Sequence, residues 1–65
     1  MSELNLNAKR VIVTGAAGGL GRAFCERLAA AGAHVFAADI NDAGAAQTAK
    51  NITIAGGFCV SGKVD

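Results

Sequence analysis

The chain has 65 residues, six basic against five acidic side chains, a formal net charge of +1 and a hydrophobic content of 52%. A chain of this size forms at most one small domain, burying about 60% of the surface its unfolded form exposes, and its apolar content excludes intrinsic disorder. No basic run points to nucleic acid or an anionic membrane, the polar start MSELNLNAKR lacks the apolar stretch of a secretory signal, and no uncharged apolar run approaches the roughly 20 residues that cross a bilayer, so a soluble, cytoplasmic protein is expected.

Residues 1–8 read as a flexible lead-in. Lys9 to Thr14 is a β-branched run whose apolar residues are consecutive, which suits a strand buried on both faces of a parallel sheet. Gly15 to Gly19 is a turn. Leu20 to Ala31 has a helical pattern, with Leu20, Phe24, Leu28 and Ala31 near one stripe, and Gly32 stands where a helix ends. Ala33 to Ala38 is a second buried strand, running into Asp39. Asn41 or Asp42 can cap a second helix that reaches about Ile54. Its inner face would be Ala45, Ala49 and Ile52, and Gly44 weakens it by roughly 1 kcal/mol relative to alanine. Gly56 and Gly57 end it, and Phe58 to Val64 is a third strand. Cys25 and Cys59 have no CxxC spacing and read as small buried hydrophobes rather than a disulfide or a metal pair.

The order β-α-β-α-β implies a parallel sheet with right-handed crossovers. If each strand is added on the same side, the strand order is 3-2-1 and both helices lie on one face.

The glycines between the first strand and helix have a physical use. A strand that turns at once into a helix presents free N–H groups at the helix N-terminus, where the dipole adds positive charge, and the two together favour a phosphate. Glycine lets that ligand reach the backbone and permits positive φ. On this reading Gly15 serves the tight turn, Gly19 the approach of the ligand and Gly21 the packing of helix on strand. The GxxxxGK[ST] pattern fails because Leu20 follows Gly19, and GxGxxG fails because position 17 is alanine. Thr14-Gly15-x-x-x-Gly19-x-Gly21 is what fits. A plain tight turn is the bland alternative.

Asp39 ends the second strand 18 residues after Gly21, where a dinucleotide fold places an acid on the adenosine ribose. A carboxylate there accepts from both ribose hydroxyls and repels a 2′-phosphate, so NAD is favoured over NADP. A helix-capping or solvated aspartate is the alternative reading. His34, the single histidine, reads as a partly exposed residue at the start of its strand.

TGAAGGLG at 14–21 resembles the TGxxxGxG cofactor loop of short-chain dehydrogenases/reductases. ADIN at 38–41 resembles the end of strand 2 in their NAD-preferring members, and GG at 56–57 with a strand ending Val64-Asp65 resembles their third strand. Gly15, Gly18 and Gly21 also fit the TGxxGxxG of the extended branch, which usually carries an aromatic residue where Gly19 stands. Many NADP-preferring members carry a basic residue at the position of Gly18. The resemblance implies the βαβαβ half of a Rossmann doubly wound parallel sheet, truncated, over residues 9–65. It implies that Gly15, Gly19, Leu20 and Gly21 surround the pyrophosphate, that Asp39 and Ile40 hold the adenosine ribose, and that Asp65 meets the adenine.

The family's catalytic serine and YxxxK pair have no counterpart here, and the chain contains no tyrosine. Hydride transfer needs a proton-transfer group beside the substrate carbonyl, so no catalytic residue is assigned and the chain alone is expected to be inactive. Two functions remain open. One is the N-terminal segment of an NAD-dependent alcohol/ketone oxidoreductase, whose small-molecule substrate and homo-oligomeric state belong to the full-length protein. The other is a free-standing, non-catalytic dinucleotide-binding module. With both helices on one face, alternate apolar residues of the strands would meet water on the other, which favours a piece of a larger fold.

Overall fold

The structure, a computed structural model, describes residues 7–64. Five elements follow one another: β1 (Arg10–Thr14), α1 (Gly19–Ala30), β2 (His34–Asp39), α2 (Asp42–Ile54) and β3 (Phe58–Lys63). Each boundary falls within one residue of the position read from the sequence. The strands form one parallel sheet in the order β1-β2-β3, with β2 in the middle.

Both helices end in the same way. Gly32 and Gly56 have φ of 98° and 94°. Behind them, Ala33 N–H donates to Leu28 O at 3.1 Å and Gly57 N–H to Ile52 O at 2.9 Å. These are Schellman closures, and they turn each helix directly into the next strand. The two N-termini differ. Asn41 caps α2 by accepting from Gly44 N–H at 3.0 Å, and Asp42 stands in the first turn. The N-cap of α1 is Gly18, which has no side chain to accept a hydrogen bond, and its first turn has no acid.

The core lies between the helices and one face of the sheet. Val35, Ala37 and Cys59 of the strands meet Cys25 and Ala29 of α1 and Ala49 and Ile52 of α2. Ala45, Ala49 and Ile52 are the inner face expected for α2, and Thr48 joins them. For α1 the expected stripe needs correction. Leu20 and Phe24 are 74% and 54% exposed, and the buried residues are Cys25 and Ala29, with Leu28 half-buried. Small side chains let α1 approach the sheet closely, so the large residues sit outside the contact. Both cysteines are buried, as expected of small hydrophobes, and both are free thiols. Burial pushes both thiols above their usual range, with Cys59 adding to the rise at Cys25.

Among the described residues, no helix lies on the opposite face. The register aligns Arg10, His34 and Phe58 in one row and Ile12, Phe36 and Val60 in the next. These residues line an open apolar groove of about 380 Å³. Ile12 is 68% exposed and Phe58 and Val60 are 53% exposed. His34 is exposed at the start of β2 and stacks on the Phe58 ring at 4.3 Å. Among the described residues, no helix is long and apolar enough to cross a membrane.

Candidate functional site

The site is built where β1 and β2 end. Thr14 closes β1, and Gly15 turns the chain with φ of 72°, which glycine adopts without strain. Four residues later α1 begins at Gly19. Gly21 lies against the turn: a Cβ there would collide with the Gly15 carbonyl and come within 3.1 Å of Ala16 Cα. Its lack of a side chain therefore lets the first turn of α1 fold back onto the loop. Gly19 is different, because a Cβ there would meet nothing within 4 Å.

An α-helix leaves its first four N–H groups without intrahelical partners. In α2 the Asn41 side chain meets one of them. In α1 the cap supplies no side-chain acceptor, and the space beside Gly19 is open. Backbone dipoles give that end a partial positive charge. The complementary group is an anion with several acceptor oxygens, and a phosphate fits that description.

Asp39 stands at the neighbouring strand end and is half-buried. Its Oδ1 accepts from Asn41 N–H at 2.8 Å and its Oδ2 from Ala17 N–H at 2.9 Å. These two amides, Asn41 foremost, hold the carboxyl below its ordinary pKa of 3.8. A carboxylate has about four acceptor positions, so each oxygen keeps capacity for a hydroxyl. Ile40, next in the chain, is exposed, as is Leu20 in the first turn of α1. Val64 N–H donates to Asp39 O at 3.1 Å, which brings the end of the third strand beside Asp39. The last expected site residue, Asp65, lies outside the described residues.

The fold thus gathers Gly15, Gly19, Leu20, Gly21, Asp39 and Ile40 at one end of the sheet. It also brings in residues that the sequence reading missed. Thr48, fully buried on α2, donates to Ala16 O at 2.9 Å, and Arg22 of α1 donates through Nε to Thr48 Oγ1 at 2.9 Å. Gly44 is no simple weakness of α2. A Cβ there would come to 2.6 Å from the Ala17 methyl and 2.8 Å from the Asn41 amide nitrogen, so its absence lets α2 pack against the loop. The signal in the sequence was a threonine on the inner stripe of α2 and a glycine one turn earlier.

A parallel βαβαβ unit with a glycine loop, an open helix N-terminus and an acid at the end of β2 defines a nucleotide-binding class of α/β fold. The short chain dehydrogenase family matches residues 9–65, and the chain belongs to that family. An uncharacterized oxidoreductase of Bacillus subtilis strain 168, YuxG, is 46% identical over 55 residues, which are 85% of this chain and 8% of that protein. The crystal structure of a hydroxysteroid dehydrogenase from Escherichia coli superposes with a TM-score of 0.93 at 35% identity, over 97% of this chain and 27% of that one. A putative D-mannonate oxidoreductase from Haemophilus influenza, with bound NAD, superposes with a TM-score of 0.92 at 34% identity, over 95% of this chain and 22% of that one. The chain therefore spans about a quarter or less of the length of each of these proteins.

Proposed function

We propose that residues 9–65 are the cofactor-binding part of an oxidoreductase that transfers hydride between NAD and an alcohol or ketone substrate. The three strands would be the 3-2-1 half of a larger doubly wound sheet, whose remaining elements cover the bare face. Membership of the short chain dehydrogenase family supports this reading, as does a relative of similar fold that binds NAD. The observation that carries it is the uncapped N-terminus of α1, open at Gly19, beside the ionised Asp39.

In this reading the amides around Gly19, Leu20 and Gly21 receive the pyrophosphate, with Gly15 shaping the turn. Asp39 accepts from the adenosine ribose hydroxyls, Ile40 lies against that sugar and Asp65 meets the adenine. When bound, NAD supplies the hydride acceptor. The chain's own residues bind and orient it. With no tyrosine in the sequence, the proton-transfer group and the substrate pocket are assigned to other parts of the whole protein, and these 65 residues alone are inactive.

A 2′-phosphate would bring like charge against Asp39, which costs affinity. Calorimetric titration of the complete polypeptide carrying this segment is expected to show NAD binding about tenfold or more tighter than NADP. Equal affinity for the two would count against the role of Asp39, and indifference to both would overturn the reading.

A further inference from the structure

The peptide group joining Ala16 to Ala17 is held at both ends. Its carbonyl accepts from Thr48 Oγ1 at 2.9 Å, and its N–H donates to Asp39 Oδ2 at 2.9 Å. The preceding N–H, on Ala16, donates to Ala38 O at 3.1 Å. The plane of this peptide cannot rotate without breaking both of its bonds, one to α2 and one to the end of β2. It lies between Gly15, where the chain turns, and Gly18, the N-cap position of α1, which offers no side-chain acceptor.

Thr48 is the one buried polar side chain among the described residues. Its hydroxyl has a single proton and two carbonyls in reach, Ala16 O at 2.9 Å and Gly44 O at 3.2 Å. Arg22 biases the choice. Its Nε donates to Thr48 Oγ1 at 2.9 Å, and a terminal nitrogen donates to Gly44 O at 3.4 Å. With Gly44 O already receiving a donor, the threonine proton is directed to Ala16. The same guanidinium ties α1 to α2 across the loop.

We propose that Thr48, oriented by Arg22, is a positioning residue that presets the phosphate-receiving loop by fixing the plane of the 16–17 peptide before any ligand arrives. This rests on the dinucleotide-binding reading above. A loop that is competent only part of the time lowers apparent affinity by that fraction, so losing the clamp weakens binding even where the ligand touches neither Thr48 nor Arg22.

The test uses the complete polypeptide carrying this segment and three variants: Thr48→Val, which keeps the shape without the hydroxyl, Thr48→Ser, which restores the hydroxyl, and Arg22→Met. NAD affinity, the thermal midpoint and hydrogen exchange of the Ala17 amide in the ligand-free protein are measured together. Thr48→Val is expected to weaken NAD about tenfold, a loop competent about one-tenth of the time, and to speed Ala17 exchange by about tenfold or more, since that amide is then open most of the time. Thr48→Ser is expected to return both to within about twofold of the parent, since the hydrogen bond is restored. If Thr48→Val does not fold, Arg22→Met carries the test, with faster Ala17 exchange and weaker NAD binding supporting the clamp. Folded Thr48→Val or Arg22→Met protein with parental affinity and exchange overturns it. Failure of the unsubstituted polypeptide to bind NAD would instead remove the cofactor reading, and exchange at Ala17 would still report whether the clamp exists.

Discussion

The Asp39 carboxylate accepts the Ala17 amide at 2.9 Å, joining the end of β2 to the loop that follows β1, 22 residues earlier in the chain. In the proposed site one charge would serve two purposes, the loop contact seen here and the ribose contact proposed above. Asp39→Ala removes both. It is expected to weaken NAD about 10- to 100-fold, as loss of charge-assisted hydrogen bonds would. NADP should lose less, because the repulsion goes with the carboxylate. Parallel titrations with the two dinucleotides measure the ratio, and an unchanged ratio would show that Asp39 does not face the 2′ position.

Acid should release the same contact. The Asn41 amide first and the Ala17 amide second hold the Asp39 carboxyl below 3.8. A group whose folded pKa is depressed contributes stability that is complete above its unfolded value and is lost as pH falls through the folded one. The Ala17 contact should therefore persist at pH 4 and disappear only in stronger acid. The Ala17 amide shift, followed by NMR against pH, should show a midpoint below 3.8, and Asp39→Asn should abolish that transition. A midpoint at or above 3.8 would contradict the two-amide geometry.

Gly21 and Gly19 make opposite predictions although both stand in the first turn of α1. Gly21→Ala drives a methyl into the Gly15 carbonyl, so backbone must shift, and overpacking of this kind costs about 1–3 kcal/mol. Denaturant unfolding measures it. Gly19→Ala places its methyl in open space and should unfold within about 0.5 kcal/mol of the parent. Equal stability of the two variants would show that the loop does not close on α1 as described.

Much of this architecture was legible before the structure, and the rest was hidden for identifiable reasons. Strand and helix limits came from local chemistry: β-branched runs, Asn41 as a cap, and glycines at 32 and 56 that accept positive φ. The stripe of α1 was misread because its buried residues are cysteine and alanine, which give weak hydrophobic periodicity beside the conspicuous Leu20 and Phe24. Asp39 could be placed near the loop by its position, but its bond to Ala17 could not. The pairing of Thr48 with Ala16 spans 32 residues, and that of Arg22 with Thr48 spans 26. No local pattern encodes either, since each exists only once two crossovers have brought the helices together.

The bare face of the sheet has a solution consequence for the isolated 65-residue chain. Ile12, Phe58 and Val60 expose apolar surface in adjacent rows, and β1 is an edge strand with unpaired backbone groups. The isolated chain should associate or be only marginally folded, and Val60→Lys with Ile12→Thr should raise its solubility and favour the monomer. Sedimentation and NMR at micromolar concentration measure this. A parent chain that is monomeric, with sharp and dispersed amide signals, would show that the face needs no cover.

The central claim is that backbone amides at the start of α1 receive the diphosphate of a dinucleotide. Its most direct measurement is calorimetric titration of NAD into the complete polypeptide and into its Gly19→Val variant, with thermal unfolding as the control for folding. The valine would occupy the open space beside the loop. The account predicts parental folding with NAD affinity reduced about 100-fold or more, since a blocked phosphate leaves its amides unpaired. A folded variant that binds NAD as tightly as the parent would contradict it.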